Sequence, residues 1–108
     1  MNKVYLIGRI AHDFELKFFD NDKRCYIQFP LAINNYNKFT GEKVTDFIDI
    51  VAFDKKAEII NEYLSKGSQI SIEGHIQIGS YMDKQQQKRY STKIILESFQ
   101  FMDKKNTV

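Results

Sequence analysis

The chain has 108 residues, of which 43% are hydrophobic and 28% charged, enough for one domain with one core and too apolar for a disordered chain. No apolar run approaches the ~20 residues that span a bilayer. A strand-like pattern begins at Lys3, so no signal or transit peptide is expected, and a lone cysteine, Cys25, excludes an internal disulfide and fits a reducing cytoplasm.

A net charge of +2 and a pI near 8.6 are weak support for a nucleic-acid partner. The aromatic content is more informative. Nine Phe and six Tyr, with no Trp, make up 14% of the chain. A core this small cannot take all of them, and exposed aromatics mark a contact surface.

In chain order, residues 3–11 open with Val4, Leu6, Gly8 and Ile10 on one parity and Lys3, Tyr5, Ile7 and Arg9 on the other. Residues 25–33 alternate as a second strand, with Cys25, Ile27, Phe29, Leu31 and Ile33 on one face and Tyr26, Gln28, Pro30 and Ala32 opposite. Pro30 has no N–H to give a ladder, which predicts an edge or a bulge there. Residues 34–41 read as a loop, rich in Asn and closed by Gly41.

A third strand covers 46–53, a fourth 69–79 and a fifth 90–102. Between the third and fourth a helix is expected over 55–65, capped by Asp54 and ended by Gly67, with Ala57, Ile60, Tyr63 and Leu64 facing inward. Five strands with a helix between strands 3 and 4 is the order of an all-β OB-fold barrel, a small mixed α+β sheet being the alternative. One domain is expected over 1–103, followed by a short extension, 104–108.

Strand parity separates the aromatics. In the third strand Ile48, Ile50 and Ala52 suit a core, while Phe47, Asp49, Val51 and Phe53 share the other face. An unpaired carboxylate in a barrel core is expensive, so the Asp49 face is the wetter one and carries Phe47 and Phe53 outward, unless a bulge shifts the parity. If the fourth strand runs on past Gly79, Tyr81 joins its polar set of Gln69, Ser71, Glu73, His75 and Gln77. Beyond Tyr81 comes a polar hairpin loop with Lys84, Lys88 and Arg89 set against Asp83, a solvated turn or a phosphate clamp.

Outward aromatics among cations suit unpaired nucleic acid. Stacking on Phe or Tyr gives ~1–3 kcal/mol per base with little sequence preference, and duplex DNA hides the faces that stack. Phosphate contacts by Lys and Arg make such binding salt-sensitive.

In this order and spacing the chain resembles the bacterial and phage-type single-stranded DNA-binding proteins (SSB). The resemblance is carried by residues 2–10, by Leu31-Ala32-Ile33-Asn34 and by residues 45–53. It continues through Ala57-Glu58, residues 63–68, Ile72-Glu73-Gly74-His75-Ile76, Ser80-Tyr81 and Arg89-Tyr90-Ser91-Thr92. It implies a protein, not an enzyme, that coats and protects single-stranded DNA during replication, recombination or repair. The family's stacking aromatics match Phe47, Phe53 and Tyr81; a further one falls at Asn37, where Tyr36 or Phe39 stands in. Its basic contacts carry over to Lys3, Lys55, Lys66 and Arg89, and with Arg9, Lys38, Lys84 and Lys88 these complete the candidate phosphate set. The family also implies a homotetramer, a dimer of dimers built by first-strand pairing.

The departures are specific. Two positions often basic in the family are Gly79 and Ser80 here, which with Asp49 in the groove predicts weaker or more salt-sensitive binding. An early Asp-Pro-Glu of the family reads Asp13-Phe14-Glu15, expected to alter only a turn. The sequence ends at residues 102–108 without the acidic, hydrophobic tip that recruits replication enzymes in cellular members, so no such recruitment is expected. That fits a tailless phage, plasmid or competence-type member, or a shortened chain. Two other readings stay open: a primosome-type interaction module on the same fold, and RNA binding. His12 and His75 lie far apart and Cys25 has inward parity, so no catalytic set, zinc site or cofactor is expected.

Overall fold

The computed structural model describes residues 1–102. Its elements are β1 (Val4–Ile10), β2 (Lys17–Phe19), β3 (Arg24–Tyr36), β4 (Lys43–Phe53), α1 (Asp54–Tyr63), β5 (Gln69–Met82) and β6 (Lys88–Phe101). The order β1-β5-β6-β4-β3, with β1 also paired to β3, closes a five-stranded barrel, and β2 adds a short outer strand to β3. The OB-fold expected from the element order is the fold found.

Ile27, Phe29, Leu31, Ile50, Ala52, Ile70 and Ile72 fill the barrel, and Ala57 and Ile60 of α1 close it. Fully burying each large apolar side chain contributes about 1.5–3 kcal/mol. Phe14 also packs on this core, its ring 5.6 Å from that of Phe29. Phe14 of the Asp13-Phe14-Glu15 departure therefore makes a core contact, which the expectation of an altered turn alone did not include.

Closure needs two glycines. A Cβ on Gly8 would lie 2.4 Å from the Ala32 carbonyl oxygen, where β1 swings from β5 to β3. A Cβ on Gly74 would lie 2.3 Å from the Ile95 carbonyl oxygen. There the β5–β6 register shifts, Glu73 facing Ser98 and Gly74 facing Leu96, so that Glu97 bulges out.

Several sequence expectations are corrected. β3 and β4 reach Tyr36 and Lys43, so part of the predicted loop is strand, and β5 runs to Met82. β2 was not foreseen; at three residues it shows no alternation. Asp54 does not cap α1: the N-cap is Phe53 without a side-chain bond, and the Asp54 carboxylate is taken by Arg24 and the Cys25 N–H instead. The helix stops at Tyr63, whose ring is exposed and rests against Phe101. In β5, Ile76 and Ile78 continue the apolar alternation of Ile70 and Ile72 but are exposed, since β5 has left the barrel by then.

Pro30 sits inside β3, between the stretch paired to β2 and the stretch paired to β1. Its carbonyl accepts from the Ala11 N–H at 2.9 Å, so its nitrogen also points to that interrupted edge and no bond to β4 is lost.

Candidate nucleic-acid interface

The β3–β4 ladder is continuous from Tyr26 opposite Phe53 to Tyr36 opposite Lys43. No bulge intervenes, so parity holds over its whole length. Cross-strand partners share a face, which puts Tyr26, Gln28, Ala32 and Tyr36 on the outer side with Phe53, Val51, Asp49 and Phe47. The parallel β4–β6 pairing places Lys93 beside Asp49, and Gln77 and Lys93 are partners across β5–β6. Following the same parity along that hairpin brings Tyr81 and Arg89 onto this outer face.

β4 and β6 run parallel and part beyond Asp49 and Lys93. Two ribbons therefore leave the barrel in the same direction, β3–β4 carrying Phe47 and Tyr36, and β5–β6 carrying Tyr81. Phe47 is 64% exposed, Tyr81 55% and Tyr36 67%. Polar groups strap the first ribbon: the Asn35 amide donates to Asp46.

Asn37, where the family aromatic would fall, shapes the β3–β4 loop. Its Oδ1 accepts from the Phe39 N–H at 2.9 Å and the Thr40 N–H at 3.3 Å. Phe39 is left at the tip beside Lys38, 99% exposed.

The candidate cations do not form one cluster. Arg9 shares a row with Ala32 and Phe47, and its Nη1 donates to the Gly67 carbonyl at 2.9 Å. Lys55 follows Phe53 on α1, while Lys66 lines a hollow of about 230 Å³ with Asp13 and Asn61. The Lys3 ammonium is bound to Glu97, with Glu73 at 3.8 Å, and His75 sits 2.9 Å from the other Glu97 oxygen. These partners hold the Glu97 carboxyl below the usual range, Lys3 first and His75 second. Lys84 is at the second hairpin tip, and Lys88 lies 5.6 Å over the Tyr90 ring on the opposite face.

Arg89 is on the aromatic face but engaged, its Nε donating to Asp83 Oδ2 at 2.9 Å. The other Asp83 oxygen accepts from the Gln85 and Gln87 N–H groups, both at 2.9 Å. The backbone bond from Gln87 first, and Arg89 second, hold this carboxyl below its ordinary value.

Sequence reasoning missed one part of the surface. Phe53 is half-buried because Phe19 and Tyr26 crowd it, each 6.3 Å away centroid to centroid. Arg24 lies over both Phe19, at 5.1 Å, and Phe53, at 5.7 Å. Tyr26 was on the outward parity and open to discovery; Phe19 depended on the unforeseen β2. Beside this cluster is a depression of about 330 Å³ that exposes Phe19, Tyr26, Phe53, Gln28, Gln77 and Lys93, with Val51 and Ile95 as its other apolar walls. A neighbouring hollow of about 360 Å³ carries Asp13, Glu15 and Asp49 against His12 and Lys17, a poor fit for a polyanion.

Cys25 is buried, and that burial pushes its thiol pKa up, the reverse of what a reactive thiol needs. Among the described residues no three His, Cys, Asp or Glu side chains are grouped to hold a metal ion, and no helix is long and apolar enough to cross a membrane.

The family model described as the single-strand binding protein family matches residues 1–102. A single-stranded DNA-binding protein of Clostridium perfringens is 41% identical over 106 residues, covering 98% of this chain and 69% of its own. Single-stranded DNA-binding protein 1 of Staphylococcus aureus is 38% identical over 108 residues, with shares of 99% and 69%. Among solved structures, the Plasmodium falciparum SSB complex with ssDNA superposes with a TM-score of 0.84 at 27% identity, over 95% of this chain and 96% of that one.

Proposed function

The chain belongs to the single-strand binding protein family, and from that premise we propose that it binds and protects single-stranded DNA with little regard to sequence. One observation carries the reading to this chain's own residues: Phe47, Phe53 and Tyr81 lie on a single outer face, Phe53 on the barrel wall and Phe47 and Tyr81 on the two ribbons that leave the barrel together. Bases stack on these rings, with Tyr36 and Phe39 extending the path along the β3–β4 ribbon and its loop. Arg9, Lys38, Lys55, Lys66, Lys84, Lys88 and Arg89 attract the phosphates, and Lys3 joins them only by exchanging its carboxylate partners. The work is binding, not turnover, as the names of the relatives also have it.

A homotetramer belongs to the same proposal. Among the described residues, β1 is paired on its β3 side only at Arg9 and Ile10. The Ala11 N–H points to that side and the Ile10 N–H to the other, so the backbone groups of Tyr5 and Ile7 face the open edge. Tyr5 and Ile7 also expose their side chains. An unpaired edge with apolar side chains is what a second copy of β1 would cover. We place this assembly in a bacterial cytoplasm or a phage-infected host, and the single domain over 1–103, with the extension 104–108 lying outside the described residues.

The test is a titration with oligo(dT), matched duplex and RNA at low and high salt. Oligo(dT) should bind far more tightly than duplex, and the logarithm of its affinity should fall linearly with the logarithm of salt concentration. Equal affinity for duplex, or none for oligo(dT), would sink the reading; tighter RNA binding would move it to RNA.

A further inference from the structure

We infer that Phe19, Tyr26 and Phe53 form a composite pocket that takes one base of the bound strand, with Arg24 positioning its walls. The inference rests on the single-strand reading and adds to it a subsite made by β2 and the start of β3.

Three rings meet there at angles suited to a wall and a floor. Phe19 stands edge-on to Tyr26, 64° at 5.9 Å, and to Phe53, 74° at 6.3 Å. Such pairs hold one another in place. The depression beside them, about 330 Å³, is at the small end of the ~300–1,000 Å³ usual for ligand pockets. One base is a fitting occupant. Its flat apolar body would meet the rings, and its polar edge the Gln28 and Gln77 amides, each able to donate and accept. Lys93 on the rim supplies a cation for the phosphate. The pocket is continuous with the stacking path through Phe53 itself, so a strand already on Phe47 need not leave the surface to reach it.

Arg24 does not line the depression. Its guanidinium rests on Phe19 and Phe53 and is fixed by two bonds to Asp54 Oδ2, at 2.8 and 3.2 Å. A cation over two rings, itself tethered by a carboxylate, fixes ring orientation before any base arrives.

The chain has no tryptophan, so a single introduced one reports on its own site. Phe19→Trp and Phe47→Trp are each titrated with oligo(dT) and with an abasic strand of equal length. Oligo(dT) should quench both; the abasic strand should leave Phe19→Trp bright. In parallel, Phe19→Ala should weaken oligo(dT) binding about tenfold, and Phe19→Leu, which keeps the bulk if the alanine variant fails to fold, should weaken it as well. Quenching of Phe47→Trp with a silent Phe19→Trp overturns the pocket and leaves single-strand binding standing. If the wild-type chain does not bind oligo(dT), the underlying reading falls first, and the pocket with it.

Discussion

Asp54 Oδ2 accepts from both Nε and an Nη of Arg24, at 3.2 and 2.8 Å, while Oδ1 takes the Cys25 N–H at 3.3 Å. The residue adopts a left-handed φ of 55° to do so, a conformation that Asp and Asn tolerate better than most. Its position in the sequence predicts a helix cap, and it serves instead as a tie between β3 and the start of α1. Arg24 first, and the backbone N–H after it, hold its carboxyl below the usual range. A depressed folded-state pKa means that the pair's stability is present above the unfolded value and lost as pH falls through the folded one. Asp54→Asn keeps the backbone conformation and an acceptor but loses the charge. The wild type should melt higher than this variant at pH 7 and still at pH 5, the gap closing only below about pH 4. A gap already closing at pH 6 would contradict the assignment.

Phe47 and Phe53 look equivalent in the sequence and are not. Phe47 is mostly in solvent, so Phe47→Ala should lose about 1–3 kcal/mol of oligo(dT) binding with an unchanged melting temperature. Phe53 is half-buried against Phe19 and Tyr26, and Phe53→Ala should lose a similar binding increment together with about 1–2 kcal/mol of folding stability. Paired titrations and thermal melts separate the two. Equal melting temperatures for both variants would mean that the ring cluster does not stabilise the fold.

The barrel is legible because its strands alternate over long stretches: Cys25 to Ile33 reads correctly at every position, and the carboxylate of Asp49 marks the outer face that carries Phe47. What escaped depends on information that lies between elements. β2 is three residues long and exists by pairing Lys17–Phe19 with Arg24–Tyr26, and nothing local announces it. Helical spacing predicts Tyr63 to face inward, but the helix ends there and the ring turns to Phe101. Ile76 and Ile78 alternate like core residues because the ribbon keeps its pleat after it has left the core. Charge partners were illegible too, since Lys3 and Glu97 are 94 positions apart in the chain.

Gly74 offers a test of barrel closure. A methyl there meets the Ile95 carbonyl oxygen at 2.3 Å and the Ile94 Cγ2 at 2.8 Å, and a backbone oxygen cannot step aside as a side chain can. Gly74→Ala should destabilise by about 1–3 kcal/mol or more in denaturant titration. Gly79→Ala, facing only the Ser91 Oγ at 3.3 Å, should be nearly neutral. Similar losses at both positions would mean that the close approach at Gly74 is not what costs stability, since backbone entropy favours alanine at either site.

The open edge of β1 can be challenged without touching its other side. Ile7 pairs with Ser71 in β5, but its N–H faces away from that ladder. Proline at such a position removes one outward donor and is tolerated at edges. Ile7→Pro should fold and bind oligo(dT) with lower avidity, and light scattering should show a smaller assembly than the wild type's. An unchanged mass would mean that the edge of β1 does not hold two copies together.

Asp83 decides how much of Arg89 is available to a phosphate. The guanidinium is more than half exposed and points along the face that carries Tyr81, yet its Nε is bonded to the Asp83 carboxylate. A phosphate must compete with that carboxylate or accept a share of the guanidinium beside a like charge. Asp83→Asn keeps an oxygen for the Gln85 and Gln87 N–H groups, so the turn should persist, while the competing charge is gone. Affinity for oligo(dT) at low salt should rise about two- to fivefold, and the salt slope should steepen by about 0.7, the increment for one added phosphate contact on a single strand. The double variant Asp83→Asn/Arg89→Ala should lose both gains. If the single variant binds no better, and its slope is unchanged, Arg89 serves the hairpin and not the strand.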